Sequence, residues 1–170
     1  DTECEPFAVE PLDRWRLQDH AVRRALRGDP PPPDELALAR ATGLLPVGGH
    51  GAAAFVDVHD ETQRFLEQVR EHGVLSRRSL RFQQGAYGLH GEVEGVGNTA
   101  LVFARIAKLK NKDRLRSWLF HVLCAVVRHQ GDATMPSRTY VIGKNETEVY
   151  GPLAETVAHQ QLDHLIAGYE

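Results

Sequence analysis

The stretch Tyr87-Gly88-Leu89-His90-Gly91-Glu92-Val93-Glu94-Gly95-Val96-Gly97-Asn98-Thr99-Ala100-Leu101-Val102-Phe103-Ala104 decides how this chain folds. Up to Val96, Leu89, Gly91, Val93, Gly95 and Val96 supply an apolar or small side that alternates with polar residues, the period of a strand with one buried face. Gly97-Asn98 is a tight-turn signal. Ala100 to Ala104 is a continuous apolar run, the pattern of a strand covered on both faces. Together they read as two strands separated by a tight turn.

The flanking segments extend this unit. Ser79 to Gln83 reads as a strand before it, and the second strand is expected to run from Thr99 to Ala107. A long helix is expected from about Lys112 to His129, with Leu115, Trp118, Leu119, Val122, Leu123 and Val126 on one face and Phe120 and Val127 widening it. Arg138 to Gly143 and Glu146 to Tyr150 read as two short strands. Leu153 to Ala167 closes the chain as an amphipathic helix through Ala158, Leu162, Leu165 and Ile166.

Towards the N-terminus the period is helical. Leu12, Trp15, Val22 and Leu26 lie near one face of a helix that stops at Gly28. Four prolines, Pro30 to Pro33, favour an extended surface connector. Asp34 to Thr42 is a short helix stopped by Gly43. Val47 to Ala54 reads as a flexible loop, and Asp60 with Gln63 as a capping box opening a helix that closes at Gly73. The expected fold class is α/β: a mixed sheet flanked by helices, in one domain over 1–170, with a helical part at 1–75 and the sheet, core helix and closing helix at 76–170.

Composition narrows the function. The 170 residues are 42% hydrophobic and carry a formal net charge of −3, which excludes a generic polycation that holds nucleic acid by bulk charge. Two cysteines, Cys4 and Cys124, make neither a disulfide framework nor a zinc cluster, and Cys124 reads as a small buried hydrophobe. The apolar run Trp118 to Val127 is too short for a membrane span. No secretory signal is visible, so a reducing, cytoplasmic setting is expected. The chain opens at Asp1 rather than Met and is read as a piece of something larger.

Metal-dependent hydrolysis needs several acidic oxygens converging on magnesium. The compact way to build this on a sheet is an acid on one strand, a second acid on the next, and a Lys two residues further on. Glu92 and Glu94, two apart, share a face of the first strand. The next strand offers Phe103 and Arg105 at the other two positions, and Phe103 has no oxygen to give a cation. The histidines form no zinc motif; His121 and His129, eight apart on the core helix, read as structural groups. Cation binding and catalysis are therefore not expected, and no cofactor is called for.

The sharpest positive feature is basic. Arg105, Lys108, Lys110, Lys112, Arg114 and Arg116 put six positive charges in twelve residues, opposed within the segment only by Asp113. Their even spacing from Lys108 would line one side of an extended segment. Such a patch can hold phosphates or an acidic partner. No aromatic residue is interleaved for base stacking.

Leu101-Val102-Phe103-Ala104-Arg105-Ile106-Ala107-Lys108-Leu109-Lys110-Asn111-Lys112-Asp113-Arg114-Leu115-Arg116-Ser117-Trp118-Leu119-Phe120-His121 resembles the C-terminal domain of the RecC family, the gamma subunit of exodeoxyribonuclease V. Glu5 to Leu26, Ala41-Thr42-Gly43-Leu44-Leu45-Pro46 and Gly91-Glu92-Val93-Glu94-Gly95-Val96 are similar to the same domain, in the same order. The resemblance implies a restriction-endonuclease-like (PD-(D/E)XK-like) core whose catalytic residues are lost, with Glu94, Phe103 and Arg105 at the vestigial positions. It implies a non-catalytic scaffold and DNA-handling domain of a helicase-nuclease complex for bacterial double-strand break repair and recombination. RecB-type and RecD-type subunits and DNA would be its partners, with no membrane involved. It also implies that the longer protein continues past Glu170. Two alternatives stay open: a divergent active magnesium-dependent nuclease recruiting Glu67 or Glu71, and a pure protein-interaction module.

Overall fold

The structure is a computed structural model that describes residues 9–45 and 48–168. Among these residues the order is α1 (Pro11–Arg27), α2 (Glu35–Ala41), α3 (Gly49–Arg70), β1 (Ser76–Gln84), β2 (Tyr87–Val96), β3 (Ala100–Ala104), α4 (Asn111–His129), β4 (Arg138–Ile142), β5 (Thr147–Tyr150) and α5 (Glu155–Ala167). The sheet order is β1-β2-β3-β4-β5. Only β3 and β4 pair in parallel, because α4 carries the chain back between them; the other neighbours are antiparallel. The expected mixed α/β architecture is therefore present.

Two apolar clusters cover the two faces of the sheet. Leu80, Phe82, Val93, Val96 and Leu101 pack on α4 and on Ala158 and Leu162 of α5. Val102 and Ile142 turn the other way, onto Val22 and Leu26 of α1 and Phe65, Leu66 and Val69 of α3. This alternation along β3 is the period-two rule, and it makes β3 the strand covered on both faces. In α4 every residue from His121 to Val127 is buried, so this helix is central, as its sequence suggests.

Local chemistry sets the ends. Pro11 sits in the first turn of α1, where its missing N–H has no intrahelical partner to lose. Gly28 takes φ 76°; its N–H reaches Ala25 O at 3.1 Å and the Asp29 N–H reaches Arg24 O at 3.0 Å, a Schellman close. Asp34 Oδ1 accepts from the Ala37 N–H at 2.8 Å and starts α2. Asp113 Oδ2 accepts from the Lys110 N–H at 2.9 Å and so fixes the start of α4.

Several expectations need correction. Residues 49–54 are not a loop but the first turns of α3, and Asp60 and Gln63 lie inside that helix rather than opening it. Ala52 to Ala54 are strong helix formers, and they outweigh the glycines at 48, 49 and 51. Pro46 and Val47 lie outside the described residues, as does Cys4. The strand expected to reach Ala107 ends at Ala104. Leu115 is 63% exposed rather than part of the apolar face of α4, and Leu89 is 44% exposed although it lies on the apolar side of β2. Both lie near the ends of their elements, where neither cluster extends.

One irregularity positions the site. Ser76 pairs with Val96 and Arg78 with Val93, so β2 carries one extra residue at Glu94-Gly95, a β-bulge. Gly95 has φ 78°, and a Cβ there would lie 2.0 Å from Val102 O, so only glycine fits. The bulge lets Val93 and Val96 enter the same core. It also frees Glu94 to meet Arg27 of α1. After the single registered pair Val96 and Leu101, β2 and β3 part.

Candidate functional site

Between the parting strands lies a cleft of about 660 Å³. Its walls come from α1 (Trp15, Asp19, Arg23), β2 (Glu92, Glu94), β3 (Phe103) with Arg105 just beyond, and the first turns of α4 (Lys112, Asp113, Arg116, Phe120). Glu94, Phe103 and Arg105, singled out from sequence alone, thus line one cavity. Glu67 and Glu71 on the far helix do not.

Each carboxylate of the cleft has an arginine partner. Glu94 Oε1 meets Arg27 Nε at 2.7 Å, Asp19 Oδ2 meets Arg23 Nε at 2.7 Å, and Glu92 Oε2 meets Arg77 at 3.4 Å. Asp113 takes both oxygens to one nitrogen of Arg105, at 2.8 and 3.0 Å. The Glu94 hydrogen bond holds Arg27 still further above its ordinary range. Among the described residues no group of three or more His, Cys, Asp or Glu side chains could hold a metal ion. Guanidinium groups therefore stand where a divalent cation would need free oxygens.

The six basic residues do not form one row. Lys108 and Lys110 lie in the turn before α4; on the helix Lys112 and Arg116, four apart, share one edge, while Arg114 points to the other side. Arg114 points to β5 and binds Glu148 at 2.6 Å and Glu146 at 3.0 Å, and it donates to Leu109 O at 3.2 Å. Its partner Glu148 raises its proton affinity through that hydrogen bond. The segment is thus opposed by more than Asp113: Glu146, just before β5, and Glu148, within it, pair with Arg114 too. Arg105 and Arg114 are tied into the fold. Lys108, Lys110, Lys112 and Arg116 have no ion pair among the described residues, and each is exposed. Arg116 instead lies 6.0 Å from the centre of the Phe120 ring.

The sequence reading missed the aromatic content. No ring is interleaved among the basic residues, yet the fold brings Trp15, Phe103 and Phe120 to the same cavity. Phe103 and Phe120 are in contact, with centroids 5.8 Å apart. Phe120 to Arg116 is an i, i+4 spacing on α4, the one signal that was available beforehand.

His121 and His129 are both tied into the fold. His121 Nδ1 lies 2.8 Å from Thr139 Oγ1, and both groups are buried. Burial pushes its pKa down, against a backbone contact to Gly151. His129 Nε2 lies 2.9 Å from Leu153 O. Cys124 is buried, and burial pushes its thiol up to about 12, so it is inert at neutral pH.

The fold and cleft define a three-layered α/β domain with a cation-edged cavity where two strands separate. The family described as the RecC C-terminal domain matches residues 1–170, and the chain belongs to that family. It is similar to the RecBCD enzyme subunit RecC of Buchnera aphidicola subsp. Schizaphis graminum (strain Sg), at 22% identity over 169 residues covering 97% of this chain. The chain spans 15% of that relative's length. Among the described residues no helix is long and apolar enough to cross a membrane.

Proposed function

We propose that this chain is a single non-catalytic scaffold and DNA-handling domain of a RecC-type subunit, working with RecB-type and RecD-type partners and DNA in bacterial double-strand break repair and recombination. The reading rests on membership of the RecC family and on one observation: every carboxylate of the cleft is engaged by an arginine, while Phe103 offers no oxygen. A restriction-endonuclease-like ancestry with lost catalytic residues fits this cleft, because the acid of one strand and the ring of the next flank the same gap. The site would then be cytoplasmic and would need no cofactor. The unpaired cations at the start of α4 supply the contact with phosphate.

The test is incubation of the purified chain with linear duplex DNA and magnesium or manganese. No cleavage above the metal-free control is the expected result. Metal-dependent cutting that disappears in Glu94→Ala would overturn the reading and favour a divergent nuclease. Leu115, exposed in the middle of the basic segment, favours a second reading in which this edge seats a sister subunit. In that case Leu115→Asp weakens subunit association and leaves DNA binding unchanged.

A further inference from the structure

We propose that the cleft between β2 and β3 accepts one unpaired nucleotide of a DNA strand, with its base against the Trp15, Phe103 and Phe120 rings and its phosphate on Lys112 and Arg116. The inference rests on the DNA-handling reading above and assigns it a specific pocket and a specific form of substrate.

The argument starts from the wall. Trp15, Phe103 and Phe120 come from α1, β3 and α4, and all three are only half-buried while lining the cleft. Phe103 and Phe120 rest partly on the core beside α4, and the ring surface they leave uncovered, unlike that of the buried Phe65 and Phe82, opens into the cleft. Phe103 and Phe120 are tilted at 42° to each other, an arrangement that leaves ring surface for a third planar group. Base stacking on such platforms is sequence-tolerant, because every base has a π-face.

Charge comes next. Lys112 and Arg116 are an i, i+4 pair on α4 and stand at the exposed rim of the cleft. The carboxylates lining the cleft would repel a phosphate if they were free, but each has an arginine nitrogen within 3.4 Å. The net field at the rim is therefore that of the two unpaired cations. Arg116 lies over the Phe120 ring, so one side chain links the phosphate-binding edge to the stacking wall. A simple anion would use only the cations, and an apolar ligand only the rings. A nucleotide uses both.

The volume agrees. A cavity of about 660 Å³ falls within the range of roughly 300–1,000 Å³ typical of small-molecule and cofactor sites. A duplex cannot present a ring face, because its bases are stacked on one another. Only an unstacked strand can place a base in the cavity.

The test uses the protein's two tryptophans. Trp118→Phe leaves Trp15 as the sole reporter. The protein is titrated at low salt with a short oligothymidylate and with an abasic strand of equal length. Thymidylate is expected to bind about fivefold or more tighter, the low end of one stacked base, and to quench Trp15. Phe120→Leu should reduce thymidylate affinity to the abasic level, and Lys112→Ala with Arg116→Ala should weaken both strands. Equal affinity for the two strands without quenching would overturn the nucleotide pocket and leave the DNA-handling reading standing. Binding of neither strand would overturn both. Competition by polyglutamate as effective as that by thymidylate would mean a general anionic face and would also overturn the pocket. The comparison of the two strands needs no substitution in the cleft, so a poorly folded variant cannot hide the answer.

Discussion

Against α4 and α5 the sheet presents a continuous apolar surface, and the helix it meets is buried from His121 to Val127. Against α1 and α3 the apolar contact is smaller, and ion pairs surround it: Glu61 with Arg14 and Lys144, Glu94 with Arg27, and Glu35 with Arg24. The first face is held by burial, which involves no titrating charge and is not weakened by ionic screening. The second is partly held by charge, which is sensitive to both. The cleft opens where the charged face meets the parting strands. The cleft takes Trp15, Asp19 and Arg23 from the charged face and Lys112, Arg116 and Phe120 from the helix of the sealed one, so the contact with a polyanion proposed above falls where the two layers meet solvent.

Neighbours in β3 test the difference most strongly. Leu101 and Val102 are both fully buried but face opposite layers. Leu101→Ala should lower unfolding free energy by about 3–4 kcal/mol and Val102→Ala by about 2 kcal/mol, measured by denaturant titration. Because Leu101→Ala deletes three carbons and Val102→Ala two, equal losses would mean a larger cost per carbon at Val102, making the α1–α3 layer the more tightly packed one, and would break the comparison. Gly95→Ala comes next, at about 2–3 kcal/mol, since the bulge must open to admit a methyl group against Val102 O. It should also displace Glu94 from Arg27, seen as a shift of the Arg27 side-chain resonance by NMR.

The Glu61 cluster sharpens the contrast through pH. Hydrogen bonds from Lys144 and Arg14 lower the Glu61 carboxyl from 4.5 to about 2. A depressed carboxylate stabilises the fold above its unfolded value and loses that contribution as pH falls from about 4.5 towards 2. Screening at this partly exposed site leaves about 1–2 kcal/mol at neutral pH. Glu61→Ala should therefore be less stable than the parent at pH 7, with the gap closing near pH 2 and narrowing in molar salt. A gap that persisted at pH 2 would assign the loss to packing instead.

How much of this was legible in the sequence follows the same division. Period and turn residues placed the strands and α4, because apolar patterning reports burial directly. Gly28 and Gly43 marked helix ends for the same local reason. The start of α3 was missed, since three glycines imitate a loop when only neighbours are considered. In the site, Glu94, Phe103 and Arg105 were named from the spacing of an acid, a second acid and a lysine on neighbouring strands and from the family resemblance, and the fold puts all three on one cavity. Their arginine partners could not, as Arg27 lies 67 positions from Glu94 and no local signal links them. Glu146 and Glu148 likewise neutralise Arg114 only through the β4–β5 hairpin, and Trp15 reaches the cleft only because α1 packs across the sheet.

The basic segment itself carries the smallest and most specific expectation. Arg105 is a partly buried charge bonded to Asp113 on the helix that follows it, so Arg105→Ala leaves Asp113 with only the Lys110 N–H and should lower stability by about 1–2 kcal/mol. Lys108 and Lys110 hold nothing in place, so replacing both by alanine should change stability by less than about 0.5 kcal/mol. Their effect belongs in binding: if both touch phosphate, the slope of log affinity against log salt for a single strand should shrink by about 1.4, at about 0.7 for each phosphate no longer neutralised. An unchanged slope would place the strand elsewhere, along Lys112 and Arg116 alone. A drop in stability on removing the two lysines would mean that the turn is held by charge after all, and the separation of tied from untied cations within one short segment would fail.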